Sequence, residues 1–276
     1  MRVLVTGAGG QVGRALLATA WPPGWRVAGA TRAALDVTAP DPAIDADIVV
    51  NCAAYTAVDR AEADAAAARL ANAVAPARLA AACARTGAVL IQLSTDYVFD
   101  GTGRRPYRED DPVNPLSVYG ATKEAGERAV RAALERHVIL RTSWVYDATG
   151  SNFLNTMLRL FRERPRLTVV DDQHGAPTLA ADIAAAIAAI ARQPGAWGTY
   201  HFTAAGETTW HGFATAIRDH LGSGPEIAAI PSSAYPTPAR RPLNSRLDCT
   251  KVEAAFAIAR RPWQAGLAAV MKEKGL

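Results

Sequence analysis

Residues 5–13 read VTGAGGQVG. The stretch closes a short apolar run, Arg2–Thr6 (RVLVT), and opens a segment over 11–20 whose hydrophobic spacing is helical. Gly7, Gly10 and Gly13 therefore fall at a strand-to-helix turn in the pattern GxxGxxG. There the first glycine permits a tight reversal, the second lets backbone approach a pyrophosphate, and the third lets the helix pack closely on the strand. The helix start then offers free N–H groups to phosphates. A turn that merely needs glycine is the plain alternative, and the flanking strand and helix are what a dinucleotide site adds to it.

Working outward, further continuous apolar runs lie at Arg26–Ala30, Ile48–Cys52, Val89–Ser94 and Val138–Thr142. Unbroken apolar runs mark strands buried on both faces. Helical patterns separate them at Gln11–Ala20, Glu62–Ala84 and Ser117–Glu135, the second interrupted by Pro76. This β-α-β rhythm predicts an α/β fold, a doubly wound parallel sheet of Rossmann type. Beyond residue 145 the rhythm loosens. NFLNTMLRLFRER (152–164) predicts a helix with Phe153, Met157, Leu160 and Phe161 on one face, 166–173 a strand, and 179–192 and 209–221 two more helices. A Pro/Arg/Ser-rich loop follows at 231–246. The expected division is a dinucleotide-binding domain over 1–146, to which segments near 175–200 return, and a smaller mixed, mainly substrate-binding domain over 147–276.

Composition narrows the function. The chain has 276 residues, half of them hydrophobic, with 30 basic against 26 acidic side chains. Its basic residues are scattered, which argues against nucleic acid as a partner. Three cysteines at unrelated spacings and five histidines with no HxxxH pair predict no metal site. The apolar run of the N-terminus is too short for a signal peptide, and the Ala-rich stretch 179–191 carries Asp182, so neither membrane insertion nor export is expected. A cytoplasmic protein is the expectation.

Two further groups carry chemistry. Tyr119 and Lys123, in NPLSVYGATKEAGE (114–127), stand at i and i+4 and share a helix face. An ammonium beside a phenol is expected to lower its pKa from about 10 towards working pH, making a proton shuttle for a carbonyl or alcohol oxygen. Ser94-Thr95-Asp96 ends the fourth strand at the edge where the glycine turn lies, and Thr95 can hydrogen-bond the same oxygen. After the second strand, GATRAALDV (29–37) places Arg32 where a 2′-phosphate could be met, with Asp36 close behind. Arg32 as a merely solvated side chain is the alternative.

Together these motifs resemble the extended short-chain dehydrogenase/reductase superfamily. The strings GQVG, AAYTAVDRAE, STDYVFDG, NPLSVYGATKEAGE, RTSWVY, NFLNTMLRL, DDQHGAPT and ARRPLNSRL, in order along nearly the whole chain, are similar to the dTDP-4-dehydrorhamnose reductases. The resemblance implies reduction of the C4 carbonyl of dTDP-4-dehydro-L-rhamnose, a nucleotide sugar, by NADPH or NADH. It implies Thr95, Tyr119 and Lys123 as catalytic residues. It implies Gln11, Val12, Asp36, Val37, Ala54, Tyr55, Thr56 and Leu93 at the cofactor beside Gly7, Gly10, Gly13 and Arg32. Thr95, Asp96 and Trp144 would meet the sugar nucleotide, Asn152 its pyrophosphate, and Arg241 or Arg246 would close over it. Trp144 as a core aromatic is the alternative for that residue. Some family members join through a magnesium ion held partly by an acid of the first helix. Ala15 stands there, which leaves a monomer or a metal-free homodimer open. Other 4-ketoreductases of nucleotide sugars, a non-catalytic regulatory protein on the same fold, and an epimerase or dehydratase are the competing functions. Against a dehydratase stands Tyr97, where an acid would be expected next to Asp96.

Overall fold

The computed structural model describes residues 1–276. Six strands form one wholly parallel sheet: β1 (Arg2–Thr6), β2 (Arg26–Ala30), β3 (Ile48–Asn51), β4 (Val89–Thr95), β5 (His137–Thr142) and β6 (Gly198–His201). Their order across the sheet is β2-β1-β3-β4-β5-β6. The apolar runs are continuous because alternate residues serve two cores. Val3, Val5, Ile48, Val50, Val89, Ile91, Val138 and Leu140 face one side, where α1 (Gln11–Ala18) and α5 (Ala180–Arg192) bring Val12, Leu16, Ile183, Ile187 and Ile190. Val49, Leu90 and Ile139 face the other, against Leu79, Ala80 and Cys83 of α2 (Ala75–Thr86) and Val130 of α3 (Val118–Ala133). Period-two side-chain alternation thus sets both faces of a doubly wound sheet.

The helix expected over 62–84 is broken more than the sequence suggests. Val58–Ala63, Ala65–Arg69, a π-helical turn Leu70–Val74 and α2 follow one another. Pro76 has no N–H to give the carbonyl of Asn72, four residues back, so the α-helical ladder fails there. The Asn72 side chain is 1% exposed. It accepts from the Tyr55 amide (2.8 Å) and donates to the Tyr55 carbonyl (3.0 Å) and the Thr122 hydroxyl (3.2 Å). It thereby ties the chain leaving β3 to α3. Gly126 of α3 is glycine for the same packing: a Cβ there would lie 2.1 Å from the Asn72 carbonyl oxygen.

A third core gathers Tyr146, Leu154, Met157, Leu158, Phe213, Ile217, Leu267 and Met271 from α4 (Phe153–Glu163), α6 (Trp210–His220), α7 (Trp263–Glu273) and their neighbours. Arg166–Val170 pairs with Glu226–Ile230 beside it. The buried face of α4 differs from the expected one: Leu154, Met157 and Leu158 are buried, while Phe153, Leu160 and Phe161 are only partly covered. The stripe is centred on the i, i+4 pair Leu154 and Leu158, and Phe153 turns instead towards Trp210 (ring centroids 4.6 Å). The segment 231–246 has one short 3₁₀ turn and wraps back, the Arg246 carbonyl accepting from the Tyr107 amide (2.8 Å). No helix is long and apolar enough to cross a membrane.

Candidate active site

All six strands run the same way, so their C-terminal ends share one edge, and the order reverses between β1 and β3. Gly7 leaves β1 in left-handed backbone (φ +67), and a Cβ there would lie 2.5 Å from the Ala53 nitrogen. Gly13 admits no side chain either, since its Cβ would lie 2.3 Å from the Gly7 oxygen. Gly10 caps α1, whose first turn holds no acid and no capping side chain, so its N–H groups are free for an anion.

From this turn a cleft of about 810 Å³ runs along the strand ends. At one end it is lined by Gly7, Gly10, Gln11, Val12, Gly13, Arg32, Asp36, Val37, Ala54, Thr56 and Leu93, and at the other by Thr95, Asp96, Tyr119, Lys123 and Trp144. Tyr55 does not line it: its phenol points to Asp64 (3.3 Å) and its backbone is held by Asn72. A second cavity, about 580 Å³, opens at the opposite edge of the sheet among Ile44, Ile48, Val89 and Trp197, and holds none of the motif residues.

Tyr119 stands in the first turn of α3, which Ser117 caps by accepting from the Gly120 amide (3.2 Å). Gly120 presses the helix onto the 3₁₀ turn Asp96–Val98, its Cβ position being 2.2 Å from the Tyr97 oxygen. That contact sets Tyr119 in the same end of the cleft as Thr95. The Thr95 hydroxyl donates to Asp96 Oδ1 (3.0 Å). Asp96 is 3% exposed, and its second oxygen, Oδ2, is buried without a partner. Burial pushes its carboxyl up to about 6, against the opposing pull of the nearby Ser245 and Thr95 hydroxyls.

The expected effect of Lys123 on Tyr119 is corrected here. Burial pushes the phenol up to about 12, Thr95 opposing and Asp96 adding, and Lys123 is not among the groups that act on it. The ammonium donates to the Leu93 carbonyl (2.7 Å). Burial lowers it to about 8, with Glu127, one helical turn on, holding it up. At neutral pH Tyr119 is therefore a full proton donor, and Lys123 is still charged.

Ser94 faces away from Thr95, as strand alternation requires, and donates to Glu127 (2.6 Å). Glu127, 1% exposed, receives both a Nε (2.9 Å) and a Nη2 (2.7 Å) bond from the equally buried Arg141. This pair underlies the floor of the site. Glu127→Gln leaves a buried guanidinium uncompensated and is expected to lower stability by about 3 kcal/mol, read as a shift in the denaturant midpoint.

The RmlD substrate binding domain family matches residues 1–275. The dTDP-4-dehydrorhamnose reductase of Burkholderia thailandensis is 46% identical over 286 residues, covering 96% of both chains. The chain belongs to the dTDP-4-dehydrorhamnose reductase family. Among solved structures, the dTDP-4-dehydrorhamnose reductase of Clostridium acetobutylicum superposes with a TM-score of 0.94 at 35% identity, covering 100% of both chains. That of Bacillus anthracis, in complex with NADP, superposes with a TM-score of 0.93 at 33% identity, covering 99% of both.

The strings similar to the dTDP-4-dehydrorhamnose reductase family meet in space in ways the sequence leaves open. Asn152 does not line the cleft; its amide is already committed. Its nitrogen donates to Gln11 (2.9 Å) and to the Asp147 carbonyl (2.9 Å), and its oxygen caps α4 by accepting from Asn155 (3.0 Å). It fastens the loop before α4 to the start of α1. Arg241 is paired twice with Asp59 of the AAYTAVDRAE string (2.7 and 3.0 Å), and Arg246 with Glu207 (3.0 Å). Arg32 is 82% exposed at the side chain, its Nε 3.7 Å from Asp36. Trp144 follows β5 in left-handed backbone (φ +50), a conformation that costs a bulky residue about 1–2 kcal/mol. Its indole stacks on Trp210, a cleft residue with no motif to announce it.

Proposed function

We propose that the protein reduces the C4 carbonyl of dTDP-4-dehydro-L-rhamnose to dTDP-L-rhamnose, using NADPH or NADH. The carrying observation is that Tyr119, Lys123, Thr95 and Asp96 meet at one end of a cleft whose other end is the glycine turn of β1 and α1. The names of the relatives support the same substrate, and the NADP complex of one of them supports the cofactor. The turn suits a dinucleotide, because side chains at Gly7 and Gly13 would fill it and the helix start above it is free. Bound there, NAD(P)H supplies a hydride to C4.

The residues of the chain do the rest. Tyr119 gives its phenolic proton to the oxygen that becomes the hydroxyl. Thr95 turns its hydroxyl from Asp96 to donate to the same oxygen and orients it. Lys123 holds the cofactor ribose. Asp96, whose Oδ2 has no protein partner, accepts from a sugar hydroxyl. Trp144 walls the side that takes the nucleotide sugar. Gln11, Val12, Val37, Ala54 and Thr56 line the cofactor, while Tyr55 and Asn152 act by bracing its loops. Residues 1–146 with the return near 175–200 form the dinucleotide unit, and 147–276 mainly the substrate unit.

The test is oxidation of NADPH and NADH with dTDP-4-dehydro-L-rhamnose generated enzymatically in the same reaction. Saturable oxidation is expected. Turnover only with a different 4-keto nucleotide sugar would reassign the substrate, and none with any such compound would overturn the reading. Arg32→Ala is expected to raise KM for NADPH about tenfold and leave NADH unaffected, because only NADPH carries the 2′-phosphate that a guanidinium grips. Equal effects on both would return Arg32 to a solvated role.

A further inference from the structure

The outlier in the cleft is Trp144, and four separated segments converge to keep it where it is. Its ring lies against Trp210 with centroids 3.6 Å apart and planes 11° from parallel. Phe153 also packs against Trp210, tilted at 40°. Trp210 is the first residue of α6, set by Thr209, whose hydroxyl accepts from the Gly212 amide (3.0 Å). Its indole N–H donates to Gln173 Oε1 (3.1 Å), and Gln173 Nε2 donates to the Ser232 hydroxyl (3.0 Å). Ser232 is fixed by its backbone N–H, which donates to both carboxylate oxygens of Asp172 (2.9 Å each). Gly175 completes the seat. It has no left-handed backbone to require glycine, yet a Cβ would lie 2.6 Å from Trp144 Cε2 and 2.9 Å from its Nε1.

We infer that Trp210 is a positioning residue for the substrate half of the site: with Gln173 and Gly175 it holds the strained Trp144 indole as a rigid wall for the nucleotide sugar. A core role alone would not need this arrangement. Both indoles line the cleft, and a bulky residue in left-handed backbone persists only where its surroundings over-determine it, which happens chiefly at ligand sites. Stacking one indole flat on another leaves the outer ring a single orientation. The DDQHGAPT string thereby acquires a physical meaning: its glutamine braces Trp210 and its glycine makes room for Trp144.

The inference rests on the proposed contact of Trp144 with the nucleotide sugar. Trp210→Ala is expected to raise KM for dTDP-4-dehydro-L-rhamnose at least about tenfold, with KM for NADPH unchanged. Trp210→Phe, which keeps a flat ring, should restore most of the loss. Gly175→Ala should act in the same direction as Trp210→Ala, by pushing the indole off its seat. Should Trp210→Ala fail to fold, Trp210→Phe and Gly175→Ala carry the test. A second readout needs no turnover. Stacked indoles give an exciton couplet in circular dichroism; Trp144→Phe and Trp210→Phe must each remove the same part of it, leaving the part due to the Trp21–Trp25 pair. Binding of dTDP, followed by intrinsic fluorescence, should weaken in Trp210→Ala. Unchanged sugar KM and dTDP affinity in Trp210→Ala, or equal losses towards NADPH, would overturn the inference. If the wild type binds dTDP but reduces no rhamnose precursor, the substrate assignment fails while the dTDP and dichroism arms still decide the wall.

Discussion

Tyr119→Phe is expected to lower kcat about 10²- to 10⁴-fold while leaving the NADPH dissociation constant unchanged. The substitution removes only the hydroxyl. The ring stays in its edge-on contact with Tyr97 (centroids 5.6 Å), and the close seat of Gly120 on Tyr97 is untouched. What is lost is a proton that burial keeps on the phenol, pushed up to about 12, through the whole neutral range. In the reductive direction such a group is a reservoir that needs no prior protonation. Single-turnover kinetics with fluorescence titration of NADPH separate the two quantities. Normal turnover would remove Tyr119 from the chemistry, and a lost affinity would make it a structural residue instead.

Lys123→Met should damage both quantities. One charged donor is removed, so NADPH affinity is expected to fall about 10- to 100-fold, and kcat with it. Burial has lowered the ammonium to about 8, so the sign of its pH dependence follows directly. Below that value Lys123 carries its charge; as pH rises through about 8 the proton leaves and the grip on the cofactor weakens. The wild-type dissociation constant should therefore rise across pH 7 to 9, whereas that of Lys123→Met should stay flat. Tyr119, far above this window, contributes nothing to it. An unchanged constant in the variant would withdraw the ribose role, and a sloping profile in the variant would assign the titration to another group.

Much of this site is legible in the chain because its parts are local. The glycine turn is seven residues long and its demands are backbone demands. Tyr119 and Lys123 share a helix face by spacing alone. Thr95 and Asp96 end a strand whose burial is written in its apolar run. The parallel order follows from alternating strands and helices, and the doubly wound sheet is the one the pattern predicts. The phenol–ammonium pairing failed for a reason spacing does not carry. Sharing a face places two side chains near each other but does not aim them, and the Leu93 carbonyl claims the ammonium.

The sequence by itself determined a dinucleotide turn, a parallel sheet, and the residue types that meet at its edge, since each rests on periodicity or on the backbone freedom of a few adjacent residues. Only the tertiary structure decided that Ser94 serves the buried Glu127–Arg141 pair, that Asn72 clamps the loop of Tyr55, and that Asn152 and Arg241 are spent on Gln11 and Asp59. It alone brought Trp144, Gln173, Gly175 and Trp210 to one wall. Those contacts join residues from 14 to 182 positions apart, and no local propensity encodes them. They arise when the packed cores bring distant segments close enough for buried polar groups and aromatic rings to find their partners.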